Sequence, residues 1–152
     1  MDLPTLLVMA LLVGPLFGIL GAYVGGWLLR WSGRLLGGSA RPAEIRAAIA
    51  WSGVPYVASM LLWIPELLLF GEELFTEATP RLDAAPELQG LLLVFVAVEL
   101  TAALWAFVAF LKCLGEVQGF SAWRALLNLL LPGVLVGVAI GLVVTLFFVL
   151  AD

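Results

Sequence analysis

The chain has 152 residues, of which 64% are hydrophobic and 12% are charged, and its net charge is −4. Soluble domains carry about 25% charged residues, so this composition excludes a water-soluble globular domain. Because a membrane crossing takes about 20 residues, the length predicts a single transmembrane domain over residues 1–152 with no separate soluble part.

The first predicted crossing covers about residues 3–29 and carries a face of small residues. Four of its glycines are spaced by four, three and four positions, which places them on one side of a helix: Gly14, Gly18, Gly21 and Gly25. Such a face lets another helix approach closely. A short interfacial helix is predicted to follow at about residues 39–50.

The second predicted crossing, at about residues 51–70, contains Pro55 and Pro65. Each proline removes one backbone hydrogen bond and favours a kink. Glu66 follows the second proline near the end of this crossing, where we expect its side chain to reach the polar surface. A position in the lining of an internal cavity is the alternative.

An acidic connection at about residues 71–88 leads to the third predicted crossing, at about 89–111, and Glu99 lies near the middle of this crossing. An ionised carboxylate at the centre of a bilayer costs at least about 2.5 kcal/mol, so Glu99 is expected to be protonated, paired or hydrated. One hypothesis makes Glu99 a proton or cation site, or a helix contact on which assembly depends. The other makes it a neutral acid that is hydrogen-bonded to Tyr23, Thr101, Thr145 or a backbone carbonyl.

A second interfacial helix is predicted at about residues 121–131, and Pro132 is predicted to bend the chain into a fourth crossing at about 133–150. Trp51 and Trp123 suit the headgroup level of a bilayer. The fourth crossing repeats the small-residue spacing at Gly133, Gly137 and Gly141. This face is the predicted partner of the glycine face of the first helix, and homodimerisation through either face is the alternative.

The basic residues predict the orientation. Six of the seven Lys and Arg residues lie in the first and third connections: Arg30, Arg34, Arg41, Arg46, Lys112 and Arg124. The positive-inside rule therefore places connections 30–50 and 112–124 in the cytoplasm of a prokaryotic cell. Both termini and the acidic connection 71–88 are then expected outside.

A weak internal repeat is also predicted. A shift of 78 positions superposes Trp27 on Trp105, Arg34 on Lys112, Gly37 on Gly115 and Arg46 on Arg124. Each half would contain an inward crossing, a basic turn, an interfacial helix and a kinked outward crossing. Because both halves begin on the same side, this is a parallel 2+2 repeat about the membrane normal.

Two segments resemble signatures of the Yip-domain family. The turn Gly37-Gly38-Ser39 precedes a short helix that leads to Trp51-Ser52-Gly53-Val54-Pro55, and Gly115 to Ala125 is similar to a G-x-x-x-G-hydrophobic-S-x-x-[KR]-A turn. The resemblance covers about Arg34 to Leu150. It implies a multispanning helical protein; family members usually have five crossings, so a minimal prokaryotic member without the first helix is expected.

The resemblance also carries expectations about partners. Yip proteins are named for their interaction with Ypt/Rab GTPases, but the protein is expected to lack the long cytosolic N-terminal region of eukaryotic members. A Rab-type GTPase is therefore a doubtful partner. For prokaryotic members the resemblance implies an accessory membrane subunit, in some cases of an ABC-type exporter.

Catalytic chemistry finds little support in the sequence. The chain has no histidine, its single cysteine, Cys113, has no visible activating base, and neither a phosphate loop nor a metal-ligand spacing occurs. We therefore predict no enzyme activity, no cofactor, no metal and no nucleic-acid partner.

The main functional hypothesis is a non-catalytic scaffold or accessory subunit of a membrane transport or trafficking assembly. Its expected partners are the lipid bilayer and other membrane proteins or a second copy of the chain. The rivals are a small oligomeric transporter or channel that uses Glu99 and Glu66, and a membrane-shaping protein.

Overall fold

The computed structural model describes residues 3–151, and helices make up 89% of the structure. The α-helices are α1 Leu3–Leu35, α2 Pro42–Ser52, α3 Val54–Ser59, α4 Trp63–Phe70, α5 Pro80–Ala84, α6 Pro86–Gln118 and α7 Ala122–Ala151, with 3₁₀-helices at Met60–Leu62 and Gly71–Phe75. No strand occurs among the described residues. The predicted all-helical class is confirmed.

Three helical stretches within residues 3–151 are long and apolar enough to cross a membrane: Leu11–Leu35, Pro42–Phe75 and Pro86–Gln118. They agree with a multi-pass membrane protein. The fourth predicted crossing lies within α7, a helix of 30 residues. A total of four crossings therefore stays a prediction.

The second stretch is a series of short helices, and its interruptions lie just before the two prolines. The helix α2 ends at Ser52, two residues before α3 begins, and Pro55 lies in the first turn of α3. The 3₁₀-helix Met60–Leu62 lies just before α4, which contains Pro65. Proline has no N–H to donate and its ring crowds the carbonyl four residues earlier, so each proline disfavours a continuous α-helix through these points.

The helix α7, in contrast, continues through Pro132, although the sequence predicted a bend there between two separate elements. Without an N–H at position 132, the carbonyl of Asn128 loses the helix hydrogen bond that residue 132 would otherwise donate. The hydroxyl of Ser32 on α1 lies 3.0 Å from this carbonyl oxygen, 2.9 Å from the carbonyl oxygen of Leu28 and 2.5 Å from Oδ1 of Asn128. Its single hydrogen can therefore be donated to the Asn128 carbonyl, in competition with two other acceptors. Hydroxyl side chains on neighbouring helices commonly compensate for proline in membrane helices in this way.

The helices α1 and α6 end in turns with the same hydrogen bonding. Gly37 has a φ of 85° and Gly119 a φ of 76°, a left-handed conformation that glycine adopts without a steric cost. In each turn the next residue donates its N–H to the carbonyl five positions earlier, in the pairs Gly38–Gly33 at 2.7 Å and Phe120–Gly115 at 2.9 Å. Both are Schellman endings, which terminate a helix at a glycine.

This likeness pairs Gly37 with Gly119, 82 positions later, and not with Gly115 as the shift of 78 predicted. Gly115 lies inside α6, where a Cβ atom would come within 2.8 Å of the carbonyl oxygen of Phe120. Gly115 is therefore needed for space and Gly37 for its backbone conformation. The predicted register is wrong at these turns, and a repeat over the rest of the chain stays a prediction.

The structure divides into two compact units. The first unit contains the chain up to Phe17 and Ala50–Phe110, so it includes the acidic connection. The second unit contains Gly18–Ile49 and the chain from Leu111 onward, so it includes both connections predicted to be cytoplasmic. Buried apolar side chains of the second unit include Leu29, Ile45, Ala48, Leu114 and Ala125.

Candidate functional site

A cavity in the first unit brings together the two acidic residues that the sequence analysis placed in the membrane. Its volume is about 190 Å³. The lining comes from one face of α4, from the 3₁₀-helix Gly71–Phe75 and from one face of α6: Trp63, Glu66, Leu67, Leu74, Phe75, Leu92, Val96 and Glu99. Spacings of three and four residues place each helical set on a single face.

Glu99 accepts a hydrogen bond within this cavity. The indole Nε1 of Trp63 donates to Oε1 of Glu99 at 3.1 Å. The two residues lie 36 positions apart in sequence. A single sequence contains no signal that pairs residues at that separation, so Trp63 was not among the predicted site residues.

Two of the residues predicted as partners of Glu99 make other contacts. The hydroxyl of Thr101 donates to the carbonyl of Ala97 at 2.8 Å. Tyr23 lies in the second unit, under the guanidinium of Arg46, which is 4.6 Å from its ring centroid. The side chain of Thr145 lies outside the described part of the structure. Glu99 therefore has a hydrogen-bond partner that was not predicted, and the choice between a neutral acid and a proton or cation site stays a prediction.

Glu66 does not extend to the polar surface as the sequence analysis expected. Its side chain is 7% exposed and lines the same cavity as Glu99. The reason is its position on α4, three residues after Trp63, on the helix face that lines the cavity with α6. Among the described residues, Glu66 has neither a hydrogen-bond partner nor an ion-pair partner.

The rest of the cavity wall is apolar and partly aromatic. The ring centroids of Trp63 and Phe75 are 6.5 Å apart with a tilt of 60°. Two carboxylates beside aromatic rings suit a cation or a shared proton better than an anion. No group of three or more His, Cys, Asp or Glu side chains placed to hold a metal ion occurs in the part of the chain that the structure describes.

Within the acidic connection 71–88, Glu73 makes hydrogen bonds that hold one part of the connection to another. Its carboxylate oxygens accept the backbone N–H groups of Arg81 and Leu82, each at 3.0 Å. These are first-turn groups of α5, which have no partner within their own helix. Nη2 of Arg81 donates to the carbonyl of Leu69 at 3.1 Å, near the end of α4, where positive charge is favoured.

In the second unit, Gln118 connects the two basic connections. Its side chain is 2% exposed, its Nε2 donates to the carbonyl of Leu29 at 3.1 Å, and its Oε1 accepts the N–H of Ala40 at 3.3 Å. Its backbone carbonyl accepts the N–H of Ser39 at 3.3 Å. A Cβ atom at Gly33 would overlap the Gln118 amide, so the glycine makes room for this contact. Gln118 was not predicted, because a single glutamine at the end of an apolar helix belongs to no sequence motif that indicates a buried contact.

The six predicted cytoplasmic cations differ in their surroundings. Arg34, Arg41, Lys112 and Arg124 are exposed, whereas Arg30 and Arg46 are half-buried. Nε of Arg41 donates to Oε1 of Glu44 at 2.7 Å. Nε of Arg30 is buried and has no hydrogen-bond partner among the described residues.

The predicted interface anchors are exposed, Trp51 by 75% and Trp123 by 78%. This exposure is compatible with a place at headgroup level, which stays a prediction.

The two glycine faces are not brought together among the described atoms. A Cβ atom at Gly14, Gly18, Gly21 or Gly25 would meet no described atom of another element within 4 Å. The same holds at Gly133 and Gly137 of the other face. The role of both faces in helix packing therefore stays a prediction, and the open space leaves room for a partner.

A comparison with protein families gives one match. The Yip1 domain matches residues 1–145, nearly the whole chain. The matched part includes α1 and the two turns that carried the resemblance. No curated protein and no solved structure matches the chain. The chain belongs to the Yip1 domain family.

Proposed function

We propose that the protein is a non-catalytic scaffold or accessory subunit of a membrane transport or trafficking assembly, with an ABC-type exporter as the first candidate partner. Family membership supports a multi-pass membrane protein, and the family is not known for enzymatic activity. The observation that carries the proposal is the exposure of α1.

Between residues 11 and 25 of α1, every side chain is exposed except Ala22 and Gly25, which are half-buried. This part of the helix also contains the open glycine face. In a bilayer, lipid covers apolar side chains as well as protein does, so helices associate through close packing at small residues. A helix with an open glycine face is therefore suited to bind a helix of another protein.

The test is affinity purification of the tagged chain from its native membrane in mild detergent. We expect a membrane protein to co-purify in stoichiometric amount, and Gly21→Leu to lower its recovery about tenfold, since bulk on the glycine face prevents close packing. Gly90→Leu is the matched control, because a Cβ atom at Gly90 also meets no described atom within 4 Å and Gly90 belongs to neither glycine face.

Recovery of the chain alone from the native membrane would contradict the proposal. Equal loss of the partner in Gly21→Leu and Gly90→Leu would also contradict it. Co-purification of a second tagged copy, lost in Gly21→Leu, would identify the glycine face as a homodimer contact.

We further propose that the protein lies in a prokaryotic cytoplasmic membrane with both basic connections in the cytoplasm. The contact of Ser39 with Gln118 supports one shared side for these connections, since it joins one to the other. The positive-inside rule supports the cytoplasm as that side.

A second candidate function is cation-coupled or proton-coupled transport. The observation that favours it is that Glu66 and Glu99 line a single cavity. In reconstituted vesicles, this function predicts a flux that Glu99→Gln abolishes and that Glu87→Gln, at an exposed acid of the same helix, leaves unchanged.

A further inference from the structure

The cavity between α4, α6 and Gly71–Phe75 contains a carboxylate that no described residue neutralises. Glu66 is 7% exposed and lines the cavity without a hydrogen-bond or ion-pair partner in the described structure. The carboxylate oxygens of Glu66 are not among the fully buried unpaired atoms of the described residues, so they are accessible from the cavity. Partial removal of a carboxylate from water without a partner is costly, which indicates a group that binds beside it. Glu99 contributes the other carboxylate, of which one oxygen accepts the Trp63 N–H.

The remaining wall of the cavity limits what this group can be. It consists of aliphatic side chains and of the Trp63 and Phe75 rings, whose centroids are 6.5 Å apart. Calcium requires about six to eight oxygen ligands, more than two carboxylates surrounded by carbon supply. Magnesium keeps several of its bound waters, and a wall of carbon atoms offers these waters no hydrogen-bond acceptor. A proton would neutralise a carboxylate but would leave the volume of about 190 Å³ unfilled.

An organic ammonium group meets each of these conditions. Its charge and its N–H groups match carboxylate oxygens, its carbon atoms match the aliphatic wall, and aromatic rings attract it through the cation–π interaction. We propose that this cavity binds one organic ammonium group, with Glu66 and Glu99 as its counter-charges and Trp63 and Phe75 against its carbon atoms.

This inference concerns binding only, and it holds whether or not the ligand crosses the membrane. It is therefore independent of the flux experiment and of the partner experiment. The ammonium group has two possible sources, the ethanolamine headgroup of a membrane lipid or a free alkylamine, and both present the same chemistry to the cavity.

The experiment uses the full chain, purified in detergent and freed of lipid. Calorimetric titration with butylammonium chloride is compared with titration with 1-butanol, which has the same chain length without the charge. Native mass spectrometry then counts the lipid retained from micelles that contain equal amounts of phosphatidylethanolamine and phosphatidylglycerol.

Isosteric variants locate the site. We expect Glu66→Gln and Glu99→Gln each to weaken butylammonium binding about tenfold or more, because each removes a charged acceptor. Trp63→Leu is expected to weaken it as well, since the indole ring is lost. Glu87→Gln is the matched control, because Glu87 is an exposed acid of α6 outside the cavity.

Saturable binding of butylammonium without binding of 1-butanol, weakened in both cavity variants but not in Glu87→Gln, would establish the site. Selective retention of phosphatidylethanolamine that is lost in the same variants would identify the ammonium group of a lipid headgroup as the ligand. Binding of butylammonium without selective retention of phosphatidylethanolamine would identify a soluble alkylamine as the ligand. Equal binding of butylammonium and 1-butanol to the unaltered chain would overturn the proposal, as would displacement of butylammonium by equimolar magnesium chloride. The alcohol comparison needs no variant, so a variant that fails to fold leaves it decisive.

Discussion

At the scale of single residues, one hydroxyl group lies where it can compensate for the proline inside α7. Ser32 is fully buried and its Oγ lies 3.0 Å from the carbonyl oxygen of Asn128, the group that loses a helix hydrogen bond at Pro132. The same hydroxyl lies 2.9 Å from the carbonyl of Leu28 in its own helix. The nearest acceptor is Oδ1 of Asn128 at 2.5 Å, so the Ser32 side chain links α1 to both the side chain and the backbone of Asn128 on α7.

A double-mutant cycle tests this compensation. We expect Ser32→Ala to lower the free energy of unfolding by about 1–3 kcal/mol, because a buried carbonyl loses its donor. In the Pro132→Ala background, Ser32→Ala should lower the free energy of unfolding by less, because the backbone N–H at position 132 then donates to the Asn128 carbonyl. Thermal unfolding in detergent measures the effect of Ser32→Ala in both backgrounds. Ser39→Ala is the control, because Ser39 is exposed. Equal costs in the two backgrounds would show that the hydroxyl does not compensate for the proline.

The space around Gln118 gives a second residue-scale prediction. Gly33→Ala should lower the unfolding temperature, with a loss of about 1–3 kcal/mol, because its Cβ atom overlaps the Gln118 amide and breaks the contacts that this buried side chain makes. Gly21→Ala on the same helix meets no described atom within 4 Å and should be neutral or stabilising by up to about 1 kcal/mol. Similar unfolding temperatures for the two variants would contradict the account.

At the scale of elements, much of the architecture follows from the sequence. The long apolar runs predict the helices, and Pro55 and Pro65 lie where the second run is interrupted. The first and third predicted crossings end before a charged residue, at about positions 29 and 111, and these membrane boundaries stay predictions. The helices themselves continue to glycines with a positive φ, since a charged side chain does not end a helix.

The cavity could be predicted in part. The sequence indicates that Glu99 and Glu66 are unusual, because acids are rare in apolar runs. It does not indicate that α4 and α6 place them in the same cavity, nor that Trp63 binds Glu99. Such pairs depend on how distant helices pack, and hydrophobic periodicity within one helix contains no information about the partner.

The acidic connection provides an element-scale prediction. Glu73→Ala should speed amide hydrogen exchange at Arg81 and Leu82, because it removes the carboxylate that accepts both N–H groups. Glu72→Ala is the matched control, since Glu72 is the adjacent exposed acid and has no described hydrogen bond. Exchange rates that change equally in the two variants, or in neither, would show that Glu73 does not hold the connection.

At the scale of the whole molecule, charge is divided between the two units. The second unit contains the six cations of the first and third connections, and the first unit contains Arg81 and the acids of the second connection. Gln118 joins both basic connections by hydrogen bonds. This division is the physical basis of the proposed orientation, because basic residues resist transfer across the membrane.

Thiol labelling tests the orientation most directly. Ser39→Cys, Glu116→Cys and Ala78→Cys each place a thiol at an exposed position, in a chain whose own cysteine is replaced by Cys113→Ser. In intact cells, an impermeant reagent is expected to label position 78 readily and to reach positions 39 and 116 only after the cells are opened. Labelling of positions 39 and 116 from outside, with position 78 protected, would contradict the account.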